Sequence, residues 1–140
     1  MTLPDGLLLA DKSAWERAGD ARVSADWSRA ITDGRIVTCL PVRFELLYST
    51  RNGDEFELLE SRLAALRDIP VTASIQRAAI TGMRALARIG PLHHRVPLPD
   101  LLIAATAQEH ALTVLHEDRH FELIREVMSF GARRLFAGES

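Results

Sequence analysis

The chain has 140 residues, 47% of them hydrophobic and 26% charged, with a net charge of −2; this is the balance of a globular domain with a real core and without a global attraction for nucleic acid. No apolar run approaches the ~20 residues of a membrane helix, and residues 7–10 are too short, and lack a preceding basic segment, for a signal sequence. The single cysteine, Cys39, excludes an internal disulfide and fits a reducing compartment, so one cytoplasmic domain spanning residues 1–140 is expected.

Residues 7–10 form an apolar run without alternation, which predicts a strand buried on both faces and ending at Asp11. Residues 12–17 predict a helix, and residues 25–32 a second one that stops at Asp33-Gly34. A second strand is expected over 36–40, where Cys39 reads as a buried thiol. Pro41 suits the first turn of a helix over 42–48 that carries Glu45. The turn Asn52-Gly53-Asp54 leads into an amphipathic helix over 54–67, with Phe56, Leu59, Leu63 and Leu66 on one stripe. A short strand over 69–71 follows. Ser74 is expected to cap the next helix, whose stripe is Ile75, Ala79, Met83 and Leu86 and whose end is Gly90-Pro91.

The central stretch is 96–121. Pro97 and Pro99 stiffen the approach to Asp100, which opens a helix over 101–107 with only Thr106 polar. A strand over 113–115 is then closed by Asp118, and a short helix (121–128) and a last edge strand (133–136) complete the chain. Strands alternating with helices imply a parallel sheet with helices on both faces. Parallel strands put all their carboxyl ends on one edge, so Asp11, Glu45, Asp100 and Asp118 are expected to converge there. Four carboxylates in one small site raise each other's pKa, and a hard divalent cation, Mg²⁺ or Mn²⁺, resolves the conflict. Such a cation can activate a water and hold a phosphodiester.

These residues resemble a known family. Residues 7–15, Leu-Leu-Leu-Ala-Asp-Lys-Ser-Ala-Trp, look like the opening strand and D-x-S-A signature of the PIN-domain ribonucleases, in particular the VapC toxins of bacterial toxin–antitoxin pairs. Residues 40–46 resemble the family's glutamate helix, 96–105 its third acidic motif and 114–121 its fourth. The resemblance implies a PIN-like three-layer α/β sandwich, with a central parallel sheet of four to five strands flanked by helices. It also implies that Asp11, Glu45, Asp100 and Asp118 gather metal and cut RNA, with Asp11, Asp100 and Asp118 as ligands and Ser13 supporting Asp11. Where the family often carries a second aspartate in its fourth motif, this chain has His120, which changes the charge of the site and its hold on a second metal. A period-two extended chain after Asp118 would turn His120 towards the site. Lys12, Arg43, Arg95 and Arg119 lie close in sequence to the acids and could hold an RNA backbone. The expected partners are a VapB-like antitoxin, RNA and a second copy in a homodimer, with no membrane.

Two other readings compete. One is a PIN-like module that binds RNA or protein without cutting, which His120 keeps open. The other takes His116-Glu117-Asp118-Arg119-His120 as the zinc-peptidase signature H-E-x-x-H. That motif needs both histidines on one helical face, and here it follows a strand candidate. Metal preference separates the three: Mg²⁺ or Mn²⁺ for the nuclease, zinc for the peptidase, none for the module.

Overall fold

The structure is a computed structural model and describes residues 2–136. Five strands run β1 (Leu8–Ala10), β2 (Ile36–Cys39), β3 (Arg67–Ile69), β4 (Thr113–His116) and β5 (Gly131–Arg134), all parallel, in the spatial order β3-β2-β1-β4-β5. Seven helices connect them: α1 (Lys12–Trp15), α2 (Ser24–Thr32), α3 (Leu40–Tyr48), α4 (Gly53–Ala64), α5 (Ala73–Ile89), α6 (Leu98–His110) and α7 (His120–Ile124). From β1 the chain builds outward through β2 to β3, then returns to the other side of β1 for β4 and β5. The direction of winding therefore reverses between β1 and β4, and a crevice at such a switch point is where parallel sheets bind ligands.

The strands sort their side chains by alternation, and this makes the three layers. Leu8, Ala10, Ile36 and Leu115 pack with Val23, Trp27 and Ala30 under α1 and α2. Leu9, Val37, Cys39 and Val114 face the thicker layer, with Val42, Ile75, Leu86, Ile103 and Phe121 from α3, α5, α6 and α7. Both faces of β1 are covered, which is why its sequence reads as a continuous apolar run. Burial pushes the Cys39 thiol up to about 12, so it is an inert core group at neutral pH. Trp15 and Trp27 meet edge to face at 4.9 Å, as packing groups.

Helix α6 passes through the middle of the thick layer. Leu101 and residues 103–107 are buried, as is Asp100, and the buried Thr106 hydroxyl donates to Leu102 O at 2.8 Å. The helix ends on Ala111 in the left-handed region, at φ 52° and ψ 44°. Among the described residues no helix is long and apolar enough to cross a membrane.

Several boundaries differ from expectation for identifiable reasons. The N-cap of α5 is Thr72, whose hydroxyl accepts from Ile75 N; Ser74 instead donates to Glu109. β3 lies two residues earlier than expected, because Ile69 is its buried residue and Pro70 cannot continue the ladder. β5 spans Gly131–Arg134, since Gly131 is small enough to sit beside Thr113. α6 starts at Leu98, with Pro97 at the N-cap, so Asp100 lies inside the first turn and makes no capping bond.

Candidate metal centre

Asp11 is fixed first. It follows β1, and its own N–H donates to Leu115 O of β4 at 2.9 Å. Its Oδ2 accepts from Ser13 N (3.1 Å) and from Ser13 Oγ (2.7 Å), so Asp11 also caps α1. The same Ser13 Oγ accepts from Glu117 N at 2.9 Å. One hydroxyl thus ties the end of β1 to the loop after β4. These bonds occupy Oδ2 and leave Oδ1 buried and without a hydrogen-bond partner.

Asp100 enters from the first turn of α6 and is 2% exposed, although Leu98 at the start of that turn is exposed. The partial positive charge of that helix end favours its carboxylate, but no donor reaches its Oδ2. Glu45 projects from α3, half-buried, with Oε1 likewise unpartnered. Asp118 follows β4 in a turn held by two bonds: its N–H donates to His116 Nδ1 at 3.1 Å, and its Oδ1 accepts from His120 N at 2.9 Å. The second bond curls the chain so that the His120 ring faces the acids. Its Nδ1 touches Asp118 Oδ1 and lies 3.5 Å from Asp100 Oδ2, in neither case with hydrogen-bond geometry.

The ligand atoms fall into two overlapping triads, each with all atoms within 4.8 Å of one another: Asp11, Glu45 and Asp100, and Asp100, Asp118 and His120. Asp100 belongs to both. The electrostatics record this crowding. Burial pushes the Asp100 carboxyl up to about 8, and the like charges of Asp11, Asp118 and Glu45 add to it. Burial also raises Asp11 against the lowering effect of the Ser13 bonds, with Asp118 adding to the rise. Glu45 is raised by burial and then by Asp11. Buried polar atoms are normally satisfied. Four unpartnered ligand atoms on residues of two close-set triads, three of them carboxylate oxygens, therefore fit a hard divalent cation.

The other expected residues fare differently. Arg43 is committed to Asp68 at 2.9 Å and lines a separate cleft of about 510 Å³ with Leu47, Glu57 and Leu66. Lys12 lies beside Glu45 in a pocket of about 220 Å³ and pairs with Glu16 at 3.5 Å. Arg95 and Arg119 are exposed, in the α5–α6 connection and at the N-cap of α7. The zinc-peptidase arrangement does not form. His116 ends β4, is fully buried and spends Nδ1 on the Asp118 amide, whereas His120 begins α7. Burial also lowers the His116 pKa. Glu117 turns to the other side of the loop, accepting from Phe136 N and lying 3.8 Å from Arg134. His120 does face the acids, but through a turn; Arg119 is in the α region, not in extended chain. Sequence reasoning missed the supporting roles of His116 and Glu117, because both serve backbone groups and leave no spacing signal.

Residues 8–127 match the family model described as PIN domain. Ribonuclease VapC18 of Mycobacterium tuberculosis is 35% identical over 118 residues, covering 84% of this chain and 86% of that protein. Ribonuclease VapC2 of the same species is 36% identical over 136 residues and 95% of each chain. A solved structure of DNA-bound VapBC from Salmonella typhimurium superposes with a TM-score of 0.72 at 14% identity, over 93% of this chain and 98% of that one; this likeness is one of fold.

Proposed function

The chain belongs to the PIN-domain family, and on that premise we propose that it is a metal-dependent endoribonuclease toxin of the VapC kind, a single domain that cuts RNA phosphodiester bonds and is silenced by a VapB-like antitoxin. The observation that carries this reading is the set of carboxylates of Asp11, Glu45 and Asp100, each with an unpartnered buried oxygen and with ligand atoms within 4.8 Å of one another, at the switch point of the sheet. The names of the relatives, ribonucleases over most of both chains, supply the reaction and the class of substrate.

Asp11, Asp100 and Asp118 are the proposed ligands, and Glu45 joins them as the fourth catalytic acid. A divalent cation, when bound, lowers the pKa of a water and offsets charge on the phosphodiester. Ser13 holds Asp11 in one rotamer, so its free Oδ1 points into the cluster without reorganisation. Glu45 is half-buried, and its raised pKa suits it to accept the proton of the attacking water. Oxygen donors suit Mg²⁺, and His120 shifts the second triad towards Mn²⁺, which accepts nitrogen more readily. Lys12 and Arg119, each next in the chain to an acid, and Arg95 before Asp100 serve the RNA backbone; Arg43 is engaged elsewhere.

The working form is a cytoplasmic homodimer. Its support is the apolar groove between α5 and α6, where Ile80 and Leu98 are 58% and 62% exposed beside Met83, Leu101 and Leu102. The experiment that tests the function is cleavage of RNA by the purified chain with Mg²⁺ or Mn²⁺, then with chelator, then with Asp11→Asn. Cleavage that needs metal and is lost in the variant supports the reading. Metal-independent binding of RNA without cleavage would favour the binding module, the reading that His120 keeps alive.

A further inference from the structure

Two of the most exposed large hydrophobic groups in the described chain sit next to the acid cluster. Phe44 is 63% exposed and Tyr48 90% exposed. They lie four residues apart on α3, so they share one face of that helix. Glu45, a member of the first triad, is the neighbour of Phe44 in the chain. The pocket of about 220 Å³ at this point is lined, among the described residues, by Lys12, Phe44, Glu45 and Tyr48. Exposed apolar groups that adjoin one another in this way mark interaction surfaces, whereas scattered single ones do not. Here they meet a cation on one side and a candidate catalytic carboxylate on the other.

We propose that Phe44 and Tyr48 are the platform on which a base of single-stranded RNA stacks, next to the phosphodiester held at the acid cluster, with the Lys12 ammonium facing the adjoining phosphate. This rests on the ribonuclease reading above. RNA is the occupant that fits the charge as well as the rings. An apolar protein segment would satisfy Phe44 and Tyr48 but would have no group for Lys12 beyond the Glu16 it already meets at 3.5 Å. A nucleotide brings a π-face and an anion together, at the spacing of adjoining groups on one chain. The platform is also contiguous with the site, so the base it holds is within a nucleotide of the bond to be cut. It would therefore select for unpaired substrate, because a paired base offers no free face.

The test uses the full chain carrying Asp100→Asn, which binds without cutting, and a single-stranded RNA labelled with 2-aminopurine, whose fluorescence falls when the base stacks. Phe44→Ala and Tyr48→Ala should each weaken binding by about 5- to 150-fold and abolish the quenching. Phe44→Tyr and Tyr48→Phe should restore both. Phe44→Leu and Tyr48→Leu keep apolar area but have no π-face, and they should behave like alanine. Thermal melting of each variant should match its parent, since both side chains project into solvent. If the leucine variants bind and quench as the parent does, the face is an apolar protein contact and the platform is overturned. If RNA binds tightly and the alanine variants leave affinity unchanged, the platform is overturned while the ribonuclease reading survives. If the Asp100→Asn chain binds no RNA the platform is overturned, and if the chain with Asp100 intact also cuts none the ribonuclease reading falls with it.

Discussion

Asp100→Asn should make the metal-free protein more stable and the enzyme inactive. The carboxyl of Asp100 is raised by burial and by three neighbouring acids from 3.8 to about 8. In the unfolded chain it ionises from about pH 4, whereas in the folded chain it keeps its proton to about pH 8. The folded state therefore binds more protons over that window, and its stability is lost as pH rises from about 4 to 8. At about 1.4 kcal/mol per pH unit, the penalty is roughly 2 kcal/mol near pH 5 and roughly 4 kcal/mol near pH 7. Asparagine has the same shape and no charge, so the variant escapes the penalty, and its amide can donate to the oxygens of Asp11 or Asp118. At about 2–4 °C per kcal/mol for a chain of this size, the metal-free variant should melt on the order of 10 °C above the parent near pH 7, with a smaller gap near pH 5. Saturating Mn²⁺ should reverse the order, because it stabilises only the protein that binds it. The assay is thermal unfolding with chelator and with Mn²⁺ from pH 5 to 8, alongside RNA cleavage. A metal-free gap that is absent, or that does not grow with pH, would refute the crowding of carboxylates on which the site is argued.

Ser13→Ala removes the one hydroxyl that both donates to Asp11 Oδ2 and accepts from Glu117 N; it should cost about 1–3 kcal/mol in a denaturant titration and lower cleavage, while Ser13→Thr should retain both. His120→Asp gives the second triad a third carboxylate, so the ratio of Mn²⁺- to Mg²⁺-supported cleavage should fall relative to the parent, and calorimetry should show tighter Mg²⁺ binding; an unchanged ratio would remove His120 from the site. Ala111→Gly, at φ 52°, should raise stability by about 0.5–1 kcal/mol, read as a small rise in melting temperature, since glycine enters the left-handed region freely.

The chain order of strands and helices was legible because each element announces its environment. β1 and residues 101–107 of α6 are apolar with almost no periodicity; β1 is buried on both faces, and residues 101–107 are buried apart from the half-buried Leu102; α5 shows a 3.6-residue stripe, and Ile75, Ala79 and Leu86 of that stripe are buried. The acids were legible for a topological reason. Asp11 and Asp118 had to lie past the ends of strands, and a parallel sheet brings such ends together whatever their separation in sequence. What escaped was set by contacts that sequence does not encode locally. Thr72 rather than Ser74 caps α5, because the chain from β3 arrives extended at Thr72 and its hydroxyl reaches Ile75 N. Arg43 is drawn away from the acids by Asp68, a residue 25 positions later that carries no motif. His120 reaches the cluster because the Asp118 carboxylate captures its amide, so a turn does what an extended chain was expected to do.

The first turn of α6 explains why the site is where it is. It carries the Asp100 carboxyl into the interior while Leu98 stays exposed; Pro99 has no N–H, the Asp100 N–H reaches Pro97 O at 3.0 Å, and the remaining N–H groups of the turn lack intrahelical partners. An N-cap side chain commonly satisfies one of them; here Pro97 occupies that position, makes no such bond and has no N–H of its own. The first turn thus has a net positive end facing the switch-point crevice, and Asp100 complements it while its Oδ2 stays unused. Asp11, Asp118 and Glu45 are brought into range by the end of β1, the turn after β4 and α3. In the folded metal-free protein the repulsion among these acids is relieved by the proton that Asp100 keeps to about pH 8; a bound cation relieves it without that proton. Stability and activity are set against each other at one residue, Asp100, the only one common to both triads.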